Sequence, residues 1–566
     1  METIKILIFF IPLKKKIKTL IFVFFTIIAS FLEAISIALI FPVIIFLLGS
    51  QNTSLYDFKF FSFINLDLKS ENVVFILLFI LVFVFLLKGL FLIYFQWWKN
   101  NFANFLQLHI SKSILKNYLY MPYLKSININ SAIKLRNIIT EVPKIRKSFI
   151  SLMTIFVELS IISILILIIF YVQPYSALVV GIFSLLIFSF YNYFFKNLLN
   201  RWGDERLKYS GKVIKDLKDS FSGTNEIKTF YKENFFINKY YSNEKQLLKY
   251  IKFFATFNIS KKIILEFFAV SLIVVLMIVM LNLNYNNDDI LAIVMVLGAA
   301  GVRILPSSGS LITSFNELKN NKPSINIISD LLKEKVTIAS FEHKFTNLEK
   351  IIEIKNLNFS YNEKLILNNI NFKIEQNNFI GIDGPSGSGK STLINLILGL
   401  IPPSSGNIFY DKNDINKNKM YYKIGYVPQK SFLLDDTIKN NITFADSKFD
   451  KVFFDKVIKI CCLEDFINKS IKKSDTLIGE NALQISGGQR QRISIARALI
   501  LNPDIIVLDE SFNEIDEETT LKIIDNILNF FKHKIIFLVS HNKKILSKSN
   551  YILKLDNGTI IKKNNE

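Results

Sequence analysis

Six apolar runs, at 20–48, 73–98, 149–172, 176–195, 263–282 and 289–315, fill the first part of the chain. Each is close to the ~20 residues that a helix rising ~1.5 Å per residue needs to cross a bilayer's ~30 Å hydrocarbon layer. Inside that layer every backbone N–H and C=O must be bonded within its own segment, so apolar runs of this length are expected as helices. The N-terminal part is therefore expected to be a bundle of six membrane-spanning helices. The first run is too long for a cleaved signal peptide and is read as a permanent span. Hydrophobic residues make up 51% of the chain, which suits a protein with a large lipid-facing surface.

Loop charges orient the bundle. Lys14, Lys15, Lys16 and Lys18 precede the first span, and the segments 99–147 and 196–262 are crowded with Lys and Arg. Tyr171–Ser176 and Leu281–Asp289 contain neither. Cytoplasmic loops carry the positive excess, so the N-terminus, the two long loops and the C-terminal half are expected in the cytoplasm of a multi-pass protein of the bacterial inner membrane. Much of the net charge of +21 sits in these membrane-flanking lysines and implies no nucleic-acid partner. The two cysteines, Cys461 and Cys462, are adjacent, so there is no disulfide framework, as in a reducing compartment. The two inner loops have helical periodicity with polar exteriors, so the flanking spans are expected to continue into the cytoplasm and end in short turns that dock on another domain.

A carboxylic acid, Glu33, interrupts the first run. A charge at mid-membrane depth costs about 2.5–3.5 kcal/mol, so Glu33 is expected to face away from lipid. On a 3.6-residue helix it shares a stripe with Thr26, Ala29, Ser30 and Ser36, while Phe, Leu and Ile cover the rest. Lys88 in the second run and Arg303 in the sixth are its candidate partners at matching depth. In the sixth run Arg303, Ser307, Ser310 and Ser314 recur at helical spacing beside Pro306, a polar stripe expected to line a cavity. Tyr56–Ser70 spaces Phe60, Phe61, Ile64 and Leu68 on one face, as a short helix in the outer interface would.

Hydropathy falls after Pro323. The expected division is a transmembrane domain at 1–322, a linker at 323–350 and a soluble domain at 351–566. In the last, short β-rich runs alternate with helical segments, a pattern that predicts a mostly parallel, doubly wound sheet.

The soluble domain carries nucleotide chemistry. The stretch Gly384-Pro385-Ser386-Gly387-Ser388-Gly389-Lys390-Ser391-Thr392 follows an apolar strand and opens a helix. Glycines in that setting let backbone N–H groups curl round phosphates at a helix N-terminus, with Lys390 reaching the β- and γ-phosphates of ATP and Ser391 ligating Mg²⁺. Farther on, "DIIVLDE" ends a buried strand in Asp509, placed to hold Mg²⁺, and Glu510, placed to take a proton from the attacking water.

The stretch "ISGGQRQRISIARAL" adds two glycines before a basic amphipathic helix. Ser486, Gly487, Gly488 and Gln489 in it resemble the signature motif of ABC-type ATPases. That resemblance implies that the signature of one subunit covers the γ-phosphate of ATP held by the other, and hence a homodimer. It also implies that Tyr361 stacks on adenine, that Gln429 senses Mg²⁺ and contacts the membrane domain, that His541 reaches the γ-phosphate and that Asp516 is the D-loop aspartate. The sequence departs from the family form at Ile485 for leucine, at "SFNEID" for "ATSALD" after Glu510, and at Asn542 where arginine is frequent. The expected fold is thus an all-α six-helix transmembrane domain followed by an α/β P-loop nucleotide-binding domain of the ABC type.

Six spans followed by one such ATPase resemble an ABC exporter half-transporter. "FLEAISIALIFPVI" and "VRILPSSGSLITSF" further resemble the PglK-type flippases of lipid-linked oligosaccharides. The implied activity is ATP-driven translocation of a lipid-linked sugar or related membrane glycolipid, with Mg²⁺ and ATP as cofactors. Exporters of lipid A, drugs or hydrophobic peptides are the alternative, and an ATP-gated channel is the non-transport one.

Overall fold

Long helices carry the described residues of all six apolar runs. In the computed structural model, which describes residues 2–12, 15–39, 71–172, 174–282, 287–334, 346, 348–349, 351–415, 422–446, 448–479 and 485–564, the chain divides into two units. One comprises Met1–Met121 with Ile127–Thr337, the other Pro122–Ser126 with Ile338–Glu566. The segment 56–70 lies outside the described residues.

The first unit begins with α1 (Glu2–Phe9) and α2 (Lys16–Ala38). Then come α3 (Glu71–Tyr120), α4 (Tyr123–Asn128, whose first residues group with the other unit), α5 (Ser131–Arg136), a π-turn at Asn137–Glu141 and α6 (Val142–Val172). The remainder is α7 (Pro174–Ser222), α8 (Thr224–Thr229), α9 (Glu233–Asn282), α10 (Asn287–Asn320) and α11 (Lys322–Lys333). Helices α3, α7 and α9 contain 50, 49 and 50 residues. At 1.5 Å per residue each is about 75 Å long, more than twice the hydrocarbon thickness, so the long inner loops are indeed helix extensions with short tips at α4–α5 and α8. Among the described residues, Lys16–Ser36, Leu78–Tyr120 and Ser131–Leu167 are long and apolar enough to cross a membrane. Large side chains on them lie open, Phe79 being 74% exposed and Phe31 62%. Surface of that kind is costly in water and matches hydrocarbon.

Helix α11 corrects the expected linker. Residues 323–333 form a helix with proline in its first turn, and Ser324, Ile325, Ile328 and Ser329 are buried in the first unit. The Ser324 hydroxyl donates to Glu141 Oε2 at 2.5 Å and accepts from Arg206 Nη2 at 3.1 Å, while Lys144 Nζ lies 2.8 Å from Glu141 Oε1. Low hydropathy near Pro323 reflects this buried polar junction, which stands beside the apolar packing of Ile325 and Ile328.

The second unit has two sheets. Strands β1 (Ile351–Tyr361), β2 (Lys364–Glu375), β4 (Ser405–Tyr410) and β5 (Asn413–Asp414) form an antiparallel sheet of order β2-β1-β4-β5. A parallel arrangement is impossible for β1 and β2, since Asn362 and Glu363 alone join them, so this sheet supplies the antiparallel part of a mostly parallel domain. The second sheet has the order β10-β9-β3-β8-β7-β6, from β3 (Phe379–Asp383), β6 (Ile424–Val427), β7 (Ile505–Asp509), β8 (Ile535–Val539), β9 (Tyr551–Asp556) and β10 (Thr559–Asn564). All its neighbours run parallel except β9 and β10. Along β7, Ile506 and Leu508 join one hydrophobic core while Ile505 and Val507 join the other. Period-2 alternation thus puts a core on each face, as a parallel sheet requires. Residues 122–126 group with this unit, and Leu124 packs on its core. The helices are α12 (Lys390–Ile397), α13 (Ile438–Thr443), α14 (Lys451–Ile460), α15 (Glu464–Lys469), α16 (Gly487–Leu499), α17 (Glu517–Phe530) and α18 (Lys543–Leu546).

Candidate functional site

Strands β3, β8, β7 and β6 are parallel neighbours, so their carboxyl ends share one edge of the sheet, about 14 Å from first to last at ~4.8 Å per strand. Asp383 ends β3 and Gly384 follows it, Asp509 ends β7 and Glu510 follows it, and Ser540 and His541 follow β8. Gln429 follows β6 by two residues. Ligands of open parallel sheets bind at this edge.

The loop from Gly384 to Gly389 links β3 to α12. Gly384 has φ +153°, and a Cβ there would run into the Leu555 carbonyl. Gly389, at φ +103°, would press a Cβ to 2.9 Å from Leu367. Both positions require glycine, and the loop they permit leads into the N-terminus of α12. Lys390, nearly buried, donates from Nζ to the carbonyls of Gly384 at 2.6 Å and Pro385 at 3.1 Å, so its ammonium lies across the loop. Ser391 and Thr392 stand in the first turn of α12. Pro385, Ser386 and Gly387 are exposed, whereas Ser388 is buried.

Asp509 is 5% exposed. Burial, reinforced by the neighbouring Glu510 and opposed by Lys390, pushes its carboxyl up to about 6. Glu510 adopts φ +48° as the chain leaves β7. Its Oε2 accepts from Gln429 Nε2 at 2.9 Å and from Asn513 Nδ2 at 3.1 Å. Its Oε1 lies 3.9 Å from His541 Nε2, and His541 Nδ1 lies 3.5 Å from Asp383 Oδ1. Asn513 and Asp383 had no place in the sequence reading. Nothing in the sequence marks Asn513 except its spacing of three from Glu510.

Helix α16 opens with Ser486 as its N-cap. Ser486 Oγ accepts from Gln489 N, and Gln489 Oε1 accepts from Ser486 N, a reciprocal capping box. Gly487 lies directly against the Glu514 carboxylate, where a Cβ would collide. Asp516 caps α17 through Thr519 N at 2.8 Å, and that bond holds its carboxyl below the usual range. Tyr361, at the end of β1, is 38% exposed with its ring edge-on to Phe359.

Residues 367–513 match the family model described as ABC transporter. The chain is 32% identical over 366 residues to an export ATP-binding/permease protein of Rickettsia typhi, covering 62% of each. It is 29% identical over 381 residues to the multidrug resistance-like ATP-binding protein MdlA of Buchnera aphidicola, covering 65% of this chain and 64% of that one. The chain thus spans under two thirds of the length of these relatives. A solved structure of a bacterial Atm1-family ABC exporter with ATP bound superposes with a TM-score of 0.81 at 18% identity, over 96% of this chain and 95% of that one. The C-terminal unit is an ABC transporter ATPase domain, and the whole chain has the ABC exporter fold. In this ATPase domain the two glycine-rich stretches open the helices α12 and α16.

The helical unit of the exporter fold holds a second group of polar residues. Glu33 is nearly inaccessible, and its Oε1 lies 3.0 Å from Lys88 Nζ and 2.6 Å from Arg303 Nε. Lys88 Nζ also donates to Ser36 Oγ at 3.1 Å. Thr26, Ala29, Ser30 and Ser36 are buried along the same stripe of α2, with Phe24, Ile27 and Phe31 exposed opposite. Both candidate partners therefore meet Glu33 at once. The sequence reading missed Glu158 on α6, 4.0 Å from Arg303 Nη2. Its signal was the same as that of Glu33, a lone acid in an apolar run. Ser307 and Ser314 are buried along α10.

Proposed function

We propose that this chain is half of an ATP-driven exporter, and that two copies act as a homodimer. The observation that carries this reading is the convergence of Lys390, Asp509, Glu510, Gln429 and His541 on one sheet edge, in a chain whose other unit, among the described residues, carries its apolar runs on long helices. Lys390 would bind the β- and γ-phosphates, Tyr361 the adenine, and the backbone of 384–389 the phosphate oxygens, with Thr392 beside them. Asp509, Ser391 and Gln429 offer hard oxygen donors that fit Mg²⁺, and the burial that raises Asp509 is the kind of cost a divalent cation removes. Bound there, the metal would neutralise charge on the phosphates. Glu510 takes the proton of the attacking water, and His541 is aimed at the γ-phosphate. Ser486, Gly487, Gly488 and Gln489 complete the site of the partner subunit from the N-terminus of α16. Asp516 would contact the dimer interface through the D-loop.

The cargo we propose is a lipid-linked oligosaccharide or related glycolipid, flipped across the inner membrane with the N-terminus and ATPase domain in the cytoplasm. Lys and Arg crowding in the long inner loops supports the orientation. Glu33 and Ser307, which are buried, and Lys88 and Arg303, which are partly buried beside them, support a polar head group inside the bundle. The likeness to a multidrug resistance-like protein favours a second reading, export of an apolar drug. Reconstitution into liposomes with labelled lipid-linked sugars and with fluorescent drugs decides between them. ATP-dependent flipping of the sugar lipid is the expected result. Accumulation of drug alone supports the second reading, and ATP-dependent ion conductance without either marks a gated channel.

A further inference from the structure

We propose that Asn513 is a positioning residue for Glu510, and that with Gln429 it fixes the orientation in which the carboxylate meets the attacking water. This rests on the reading of Glu510 as the base. The turn after β7 brings the residue into place. Glu510 takes a left-handed backbone, φ +48°, which reverses the chain at once. Ser511 and Phe512 then turn into the core, and Asn513 returns to the surface three residues on, beside the carboxylate.

The amide Nδ2 of Asn513 donates to Oε2 of Glu510 at 3.1 Å, and Nε2 of Gln429 donates to the same oxygen at 2.9 Å. One donor comes from the turn after β7 and the other from beyond β6, the neighbouring strand. A carboxylate oxygen has two lone-pair directions, and here both are occupied by neutral N–H groups. Oε1 is left facing His541 at 3.9 Å. Turning the carboxylate plane away from this orientation breaks both bonds, so the group is held with its other oxygen facing His541 as the acceptor. Because the two donors are uncharged, they fix the group without cancelling the negative charge that a base needs. Gln429 alone leaves the carboxylate free to pivot about a single bond; Asn513 removes that freedom.

The test uses the full-length protein in detergent or nanodiscs. Phosphate release is followed against ATP concentration, and binding of a fluorescent ATP analogue is followed separately. N513A is expected to lower kcat about ten-fold with ATP affinity kept within about two-fold, the pattern of an interaction that acts in the chemical step. N513S, which keeps a shorter donor, is expected to recover part of the loss. N513D, which replaces the donor by a second acceptor, is expected to lose more than N513A. On the E510Q background N513A is expected to add nothing, because the group it positions is gone. Native kcat in N513A overturns the inference, as does an equal loss in the E510Q background or a loss confined to ATP affinity. Native turnover in E510Q itself overturns the base reading instead, and the inference with it.

Discussion

Glu33 in the helical unit and Glu510 in the ATPase domain are both carboxylates gripped by two neighbouring side chains, but the neighbours differ in charge. Glu33, with 2% of its side chain accessible, has Lys88 and Arg303 on one oxygen. Glu510, 18% accessible, has the neutral amides of Gln429 and Asn513 on one oxygen and faces His541 with the other. Two cations cancel a charge, and at membrane depth that cancellation lets the charge exist at all. Neutral donors orient a charge and leave it available, which suits a group that must accept a proton. If Glu510 acts as the proposed base, the same residue type is a joint in one unit and a reagent in the other.

Four substitutions probe that contrast. Glu510→Gln keeps the shape and hydrogen bonding of the site but removes the charge. ATP turnover, measured as phosphate release, is expected to fall about 10²–10⁴-fold while nucleotide binding persists. Glu33→Gln leaves Lys88 and Arg303 without their shared counter-charge. The expected cost is about 3 kcal/mol, seen as a lower melting temperature in detergent, and addition of ATP should not restore it. A well-folded E33Q protein of native stability whose ATPase no longer responds to cargo would instead assign Glu33 to transport. Ser486→Ala removes the cap of α16 and is expected to destabilise the ATPase domain by about 1 kcal/mol, read by denaturant unfolding. Lys439→Ala breaks an exposed pair with Asp475, and the melting temperature is expected to stay unchanged. A shift as large as that of E33Q would erase the distinction between buried and surface charge on which the comparison rests.

Much of the site is legible along the chain because its pieces are local. The loop before α12 is readable since φ +153° at Gly384 and φ +103° at Gly389 admit little besides glycine. The pair Asp509 and Glu510 is readable since a run of buried strand residues ends there. The apolar runs are readable since hydropathy over ~20 residues is a direct statement about solvent. Less legible were features whose cause lies elsewhere in the chain. The antiparallel sheet around β1 depends on a two-residue turn and on pairing with β4, some fifty residues away. Helix α11 looked like linker because its buried partners, Glu141 and Arg206, belong to other helices. Asn513 looked like an ordinary turn residue because its importance depends on a left-handed backbone at Glu510.

From the sequence alone come the six-helix membrane unit, the ATPase motifs and the stripe of α2 that turns Glu33 away from lipid, since each follows from periodicity or from short-range sterics. Tertiary structure alone decided that Lys88 and Arg303 meet Glu33 together and that Glu158 stands behind Arg303. It also decided that Gln429 and Asn513 converge on one oxygen of Glu510. Those outcomes depend on distances between segments far apart in the chain, which strand order and helix packing set and which no local pattern encodes.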